Sequence, residues 1–176
     1  MTYISIQATI ASLEAAGKLT RFVPTGRHPP RRRLYLTNQA LKDLNDPSSA
    51  VNALVGRGYI VAALTKWTLG ERVYADTRQK CRFLCRLCPP PPEIWDIRVT
   101  EPVVQARLFG RFAGPDTLIL TKFHTRGMLG DKGSPNWKSA MVACETLWTE
   151  LFQTVPPFVG GSIHDYVTEK CDDFRI

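Results

Sequence analysis

The chain has little cysteine, no long apolar run and no leader-like N-terminus. Five of its 176 residues are cysteines, and this odd number favours a reducing compartment. The longest apolar run is far too short to span a bilayer. The N-terminal sequence MTYISIQATI lacks the basic and then apolar order of a secretory signal. We therefore expect a cytoplasmic protein that does not associate with membranes.

Acidic residues are scarce in the first half of the chain. Residues 1–92 contain 14 Lys and Arg but only 5 Asp and Glu, whereas residues 93–176 contain 9 against 11. The net charge of the whole chain is +7. A basic surplus on one part of a chain favours a polyanionic partner, most often nucleic acid, although an acidic protein would be attracted in the same way.

Three of the cysteines, Cys81, Cys85 and Cys88, lie in the segment CRFLCRLC. Their C-x3-C-x2-C spacing occurs in radical enzymes with an iron–sulfur cluster, but the residues that follow are too few for the large barrel of such enzymes. A zinc site would need a fourth ligand, such as Cys144, Cys171 or a histidine, and the spacing differs from that of a common zinc finger. Because cysteine is also frequent in the cores of proteins, we expect no metal and no cofactor.

The first part of the chain predicts a helix and then a hairpin. The apolar spacing in SIQATIASLEAA, residues 5–16, is typical of a short amphipathic helix that ends at Gly17. Two strand-like segments, KLTRFV and RRRLYLT, then flank the Pro- and Gly-rich turn PTGRHPP. We therefore expect these two segments to form a β-hairpin.

Two helices are predicted before the next strands. The first covers residues 38–45. The second begins at Asp46-Pro47, a good N-cap followed by proline at the first helical position, and extends to about Val73. Gly56 weakens the middle of this helix by roughly 1 kcal/mol relative to alanine, so a break there is also compatible with the sequence.

Three strand-like runs follow in quick succession: EIWDIRV (93–99), VVQARLFGRF (103–112) and TLILTKFHTR (117–126). Their short connections, TEP and AGPD, favour an antiparallel meander. A last helix begins at Ser134-Pro135, where apolar residues recur with helical spacing. This order predicts an α+β fold: a small antiparallel or mixed sheet, two helices before a three-strand meander, and one C-terminal helix, with the helices against one face of the sheet.

The domain organisation follows from the same pattern. A chain of this length forms one domain, or one domain with an appendage. We expect a basic helix-hairpin extension over residues 1–32, an α+β domain over residues 33–154 and a tail over residues 155–176.

The end of the third strand carries three cations at a spacing of two. Side chains two apart in a strand point to the same face. Lys122, His124 and Arg126 would therefore form a row, opposite Phe123 and Thr125. Such a row suits phosphate binding, but a solvated edge strand can carry the same charges in order to discourage aggregation.

Three segments carry motifs of one known family. EIWDIRV resembles the strand motif LWELR and places Arg98 at its arginine; QARLFGRF resembles YRLLY and places Arg107 at its arginine. The segment LILTKFHTR resembles IVLLHGFxKK, which places Phe123 at the phenylalanine of that motif and Arg126 at its second basic position. The helical segment NWKSAMVACETL, which follows it, resembles EIEKALxRL. In this order, from about residue 33 to 152, the chain resembles the RelE/HigB-like toxins of type II toxin–antitoxin systems, including phage-derived members.

The chain departs from the family pattern at three places. The first lysine of FxKK is Thr125, the tyrosine before the second strand's arginine is Ala106, and the basic loop before Pro135 is longer and richer in glycine. These departures leave open an inactive or repurposed member of the family.

The resemblance implies a metal-independent endoribonuclease that cleaves messenger RNA, on the ribosome, and inhibits translation. It also implies a cognate antitoxin that covers the basic face. Attack by a 2′-hydroxyl needs a proton acceptor, a proton donor and cations that stabilise the charge on phosphorus, and arginine donates two hydrogen bonds to phosphate. We expect the catalytic residues to be His124, Arg107 and Arg126. We expect the RNA-binding residues to be Arg98, Lys122 and Lys132.

Other interpretations of these residues remain open. Arg98 could pair with Asp96 or Glu93 in a structural salt bridge. His164 and Tyr166, in the tail, are further candidates for proton transfer. A third possibility for the whole chain is a phage or mobile-element protein that binds a host protein through a RelE-like scaffold.

The N-terminal segment supports a different function. The segment TIASLEAAGKLTRFVPTGRHPPRRRLYLT resembles the last helix and wing of a winged-helix DNA-binding domain. In that case the protein would be a non-enzymatic regulator whose wing contacts DNA phosphates. The nucleic-acid-binding residues would then be Arg27, Arg31, Arg32 and Arg33.

Overall fold

One mixed sheet of eight strands organises the computed structural model, which describes residues 5–26, 28–76, 83–87, 92–101 and 103–173. The strands are β1 (Leu19–Arg21), β2 (Arg33–Thr37), β3 (Val73–Asp76), β4 (Leu84–Arg86), β5 (Trp95–Val99), β6 (Ala106–Gly114), β7 (Thr117–Thr125) and β8 (Cys171–Asp173). Their spatial order is β1-β2-β7-β6-β5-β4-β3-β8. The helices of the described residues are α1 (Ile6–Ala15), α2 (Asn38–Asn45), α3 (Ala50–Val55), α4 (Arg57–Thr68), α5 (Arg126–Leu129), α6 (Pro135–Phe152) and α7 (Ile163–Tyr166).

The predicted hairpin and meander are confirmed, and both lie in this sheet. Strands β1 and β2 pair antiparallel, with Leu19 opposite Thr37. Strands β5, β6 and β7 also pair antiparallel in sequence order. The sheet becomes mixed because β2 runs parallel to β7 and β3 runs parallel to both β4 and β8. The α+β class is therefore as predicted, but the sheet is larger than expected.

The helix expected over residues 46–73 is two helices and a strand. The side chain of Ser49, not that of Asp46, caps α3 by accepting a hydrogen bond from the Asn52 amide at 3.2 Å. Gly56 then separates α3 from α4 with a φ of 91°, a conformation that favours glycine. Helix α4 ends at Thr68, and the apolar residues that follow it form β3.

Helices cover both faces of the sheet, where the sequence predicted one. On one face, α2, α3 and α4 bury residues such as Leu44, Val55 and Leu64 against the central strands. On the other face, α1 and the C-terminal half of α6 pack on Ile119, and the N-terminal half of α6 packs on Phe109. Helix α6 begins, as predicted, at a serine N-cap followed by proline.

The predicted extension and tail both contribute to the sheet. Strand β1 comes from residues 1–32 and β8 from residues 155–176, and they are its two edge strands. Tyr166 of the tail is fully buried and packs 4.6 Å from the Trp95 ring. Among the described residues, no helix is both long and apolar enough to cross a membrane.

Candidate functional site

A cavity lined by cations lies on the α6 side of the sheet. Its volume is about 230 Å³. We call it the cationic cavity; its lining residues are Cys85, Leu87, Arg98, Arg107, Arg126, Lys132 and Trp137. Four of the six residues that the resemblance pointed to therefore line one cavity. They come from β5, β6, α5 and the loop before α6.

The strand register brings two of the arginines together. Arg98 and Arg107 are directly opposite in the antiparallel ladder of β5 and β6, and opposite residues of such a pair share a face of the sheet. Arg107 is largely buried; its Nη1 donates to the carbonyl of Ala106 at 3.0 Å and its Nη2 to Oε1 of Gln105 at 3.2 Å. Burial lowers the pKa of Arg107, and the neighbouring Asp96 opposes that shift.

Arg126 reaches the cavity from the first turn of a helix, and Lys132 from a loop. Strand β7 ends at Thr125, whose side chain accepts a hydrogen bond from the Met128 amide at 3.2 Å and so caps α5. The guanidinium of Arg126 then lies over the Trp137 ring, 5.4 Å from its centroid, in a cation–π contact. Lys132 is exposed in the loop that follows.

A fully buried carboxylate lies beneath the two strand arginines. Asp96 has no exposed surface. Nε of Arg98 is 3.3 Å from both of its oxygens, and Nε of Arg107 is 3.3 Å from Oδ2. Burial raises the pKa of Asp96 to about 6, although both arginines act in the opposite direction. Arg98 thus makes the salt bridge with Asp96 that the sequence allowed, and it also lines the cavity.

Two of the expected site residues, His124 and Lys122, do not line the cavity. His124 is 9% exposed, packs 5.0 Å from the Phe109 ring, and leaves Nε2 without a hydrogen-bond partner. Burial, with a smaller effect of Lys122, lowers its pKa to about 4. The imidazole is therefore neutral and enclosed near pH 7, which makes it a poor proton shuttle for a ligand in the cavity.

The expected row of three cations is interrupted. Lys122 and His124 share a face, because they lie opposite Phe109 and Arg107 of the same strand. Arg126 does not continue the row, since it is the first residue of α5. Lys122 is exposed, away from the lining of the cavity.

The arginines of the proposed DNA-binding wing do not form one accessible cluster. Arg27 lies outside the described residues. Arg31 and Arg33 are exposed, and Arg33 donates to the side chain of Gln7 at 3.2 Å.

Arg32 is buried, at 3% exposure, and its contacts are structural. Its Nη2 donates to the carbonyl of Glu169 at 2.6 Å, and its guanidinium lies 5.0 Å from the centroid of a Trp67 ring. Nε is also 3.6 Å from Oδ1 of Asp116. Arg32 therefore stabilises the fold through these contacts, which occupy donors that a nucleic acid would need.

The cysteines offer no metal site within the described residues. Cys81 and Cys88 lie outside them. Cys85 is disulfide-bonded, whereas Cys144 and Cys171 are free. No group of three or more His, Cys, Asp or Glu in this part of the chain could bind a metal ion. A disulfide at Cys85 differs from the reduced thiols that a reducing compartment implies.

The tail residues considered for proton transfer lie elsewhere. The Tyr166 hydroxyl donates to Oε2 of Glu93 at 2.9 Å and accepts from the Gly160 amide at 2.8 Å. Glu93 also forms an ion pair with Arg86. His164 is exposed in α7. Tyr166 joins the tail to the sheet, and neither Tyr166 nor His164 lines the cavity.

The sequence indicated Asp96 only as a partner of Arg98, and it gave Trp137 no functional role. The signal for Asp96 was its position two residues before Arg98 in a strand, which places both side chains on one face. That Asp96 also contacts Arg107 required the register of β5 against β6.

Comparison with known proteins adds no relative. No family model, curated protein or solved structure matches the chain. The geometry of the cationic cavity and the resemblance of three motifs are therefore the basis for any functional assignment.

Proposed function

We propose that the protein binds RNA by placing a backbone phosphate in the cationic cavity, where it acts as a RelE/HigB-like, metal-independent endoribonuclease. The observation that carries the proposal is the convergence of Arg98, Arg107, Arg126 and Lys132 on one cavity. On the ribosome, such cleavage of messenger RNA would inhibit translation, and a cognate antitoxin would cover the same face.

The chemistry of the lining suits an anion. The charged side chains among its residues are all cations, and their polar groups are donors. Arg98 and Arg107 share Asp96, so the described site has four positive charges against one negative charge. Guanidinium groups donate to phosphate in a bidentate manner, and cations aimed at a phosphoryl group stabilise the charge that develops on it.

The roles within the site differ from those expected from the sequence. Arg107 and Arg126 remain the candidates for stabilising the phosphoryl charge, and Arg98 for binding it. His124 is enclosed, so we assign proton transfer to Lys132, whose ammonium group can donate a proton to the leaving 5′-oxygen. Lys132 is exposed at the cavity and belongs to a loop, which gives it access to a bound ribose.

RNA binding tests the proposal directly. We expect Arg107→Gln and Arg126→Gln each to weaken the binding of a short single-stranded RNA by about tenfold, since each removes a charge-assisted contact. Each should also lower the slope of log affinity against log salt by about 0.7. Fluorescence anisotropy with a labelled oligonucleotide measures both quantities.

The matched control is Lys42→Gln. Lys42 is an exposed cation on α2, at the opposite face of the sheet, so its loss should change affinity less than twofold. Equal losses from Lys42→Gln and Arg107→Gln would refute the assignment of the cavity. Arg31→Gln with Arg33→Gln tests the wing: a loss of binding confined to this pair would favour the DNA-binding regulator.

Cleavage needs a separate assay. Labelled RNA incubated with the protein and excess EDTA should be cut by the native chain and by Lys42→Gln, but not by Arg107→Gln or Lys132→Ala. Induced expression in a bacterial host should arrest growth with the same pattern. Binding without cleavage, either alone or with ribosomes, would leave an RNA-binding protein and exclude the ribonuclease.

A further inference from the structure

A buried carboxylate, that of Asp96, contacts two of the arginines that line the cationic cavity. On its own strand it contacts Arg98, and on β6 it contacts Arg107. Its partner in the β4 ladder is Cys85, which is disulfide-bonded and does not titrate. Arg126 also lines the cavity, and its charge contributes to lowering the pKa of Arg107. The carboxylate has no contact with solvent.

A ligand phosphate and Asp96 must share the same two guanidinium groups. Asp96 contacts both at Nε. Each Nη of Arg107 donates one of its two N–H groups to the protein, so an anion at the cavity would use the remaining N–H groups of the Nη atoms. A phosphate bound there lies on the far side of each guanidinium from the carboxylate. The two negative groups are then about 7 Å apart, close enough to repel each other in a partly desolvated site.

We propose that Asp96 is an internal counter-ion that competes with the RNA phosphate for Arg98 and Arg107, so that phosphate binding is coupled to proton uptake by Asp96. The inference rests on the proposed function, because it concerns the ligand of the same cavity. An ionised Asp96 weakens binding and favours release, whereas a protonated Asp96 leaves both arginines to the ligand. Asp96 is a positioning residue in this scheme, since it acts through the arginines.

The direction of the pH dependence follows from linkage. A bound anion disfavours the charged form of Asp96 and so raises its pKa further above the value of about 6 in the free protein. By reciprocity, protonation of Asp96 strengthens anion binding by the same factor. For two negative charges about 7 Å apart that factor is roughly tenfold to fiftyfold, for effective dielectric constants from about 35 down to about 20. Affinity should therefore rise as the pH falls through 6.

The test compares the native chain with Asp96→Asn. The probe is a short 2′-O-methyl oligonucleotide, whose phosphodiesters cannot be cleaved by 2′-hydroxyl attack and keep one charge each from pH 8 to pH 5. We expect Asp96→Asn to bind roughly tenfold to fiftyfold more tightly than the native chain at pH 8, and equally at pH 5. The ratio of affinities cancels the titration of groups that both proteins share.

Asp131→Asn is the matched control. Asp131 is exposed in the same loop as Lys132, so Asp131→Asn tests whether the loss of any nearby carboxylate changes the affinity in this pH-dependent way. The affinity of Asp131→Asn divided by that of the native chain should not change with pH. Calorimetry of the native chain in two buffers with different ionisation enthalpies should show net proton uptake on binding at pH 6.5. That measurement needs no variant, so it decides the question even where Asp96→Asn does not fold.

The outcomes separate the inference from the proposed function. Binding that depends on Arg107, with no proton uptake and a pH-independent ratio, would overturn the role of Asp96 and leave the RNA site intact. Weaker binding by a folded Asp96→Asn would also overturn it, because the carboxylate would then support the ligand. No binding of the oligonucleotide at any pH would overturn both.

Discussion

The enclosed imidazole of His124 makes the stability of the protein depend on pH. Its folded-state pKa is lowered from 6.5 to about 4, first by burial and then by Lys122. For a base whose pKa is lowered on folding, the unfolded chain binds the proton more readily. Stability is therefore complete above the unfolded pKa and is lost as the pH falls from about 6.5 towards 4.

The magnitude follows from the shift. One pKa unit corresponds to about 1.4 kcal/mol, so the 2.5 units between 6.5 and 4 give about 3 kcal/mol lost between pH 7 and pH 4. Asp96 acts in the opposite direction. Its pKa is raised on folding to about 6, so its contribution to stability is present below its unfolded pKa and lost as the pH rises through 6.

The two groups offset each other in the native chain, so the observable is a difference between variants. His124→Phe keeps an aromatic ring beside Phe109 and removes the titration. We expect the free energy of unfolding of the native chain, minus that of His124→Phe, to fall by about 3 kcal/mol from pH 7 to pH 4. Urea unfolding followed by tryptophan fluorescence measures it at each pH. Any fixed packing cost of the new ring cancels in the pH dependence.

His164→Phe is the control, because this imidazole is exposed in α7. It reports the effect of removing a histidine from the surface. We expect the free energy of unfolding of the native chain, minus that of His164→Phe, not to show the fall of about 3 kcal/mol between pH 7 and pH 4 that we expect for His124→Phe. A native-minus-His124→Phe difference that stays constant from pH 7 to pH 4 would refute the enclosed, neutral imidazole, and it would return His124 to the list of candidates for proton transfer.

Two further substitutions test the packing around the site. A Cβ at Gly110 would overlap the carbonyl oxygen of Ile119 in the neighbouring strand, so we expect Gly110→Ala to lower the free energy of unfolding by about 3 kcal/mol or more. Gly114 has open space around it, so Gly114→Ala should change the free energy of unfolding by less than about 1 kcal/mol. Equal effects of the two substitutions in urea unfolding would contradict the close approach of these strands. Tyr166→Phe removes a donor from the buried carboxylate of Glu93 and should cost about 2 kcal/mol, whereas a neutral result in thermal unfolding would show that the hydroxyl is not needed there.

The meander and its two arginines were within reach of the sequence. Alternating apolar residues and short connections predicted β5, β6 and β7, and the pairing of Arg98 with Arg107 follows once those strands are antiparallel. The salt bridge from Arg98 to Asp96 was also visible as a same-face pair. These features depend on contacts between segments close in sequence, where period and turn length decide the geometry.

The features that the sequence did not predict depend on distant segments. The parallel pairing of β2 with β7 joins residues about 84 positions apart, such as Tyr35 and Ile119, and no local pattern specifies it. Helix α6 covers the opposite face of the sheet from α2–α4. Its Trp137 packs on Phe109, and Phe109 packs on His124, which is buried and not at the surface. The burial of Arg32 has the same origin, since its partners Trp67, Asp116 and Glu169 are all distant in sequence.

The pairing of β3 with β8 also has a consequence for biosynthesis. Val73 pairs with Cys171, so a ribosome must add almost a hundred residues after β3 before this edge of the sheet can be completed. Pairings between distant segments slow folding, and strand edges that wait for a partner are prone to aggregate. Over that interval the nascent chain exposes the apolar residues of β3 and β4, and we expect it to depend on chaperones that bind extended, apolar segments.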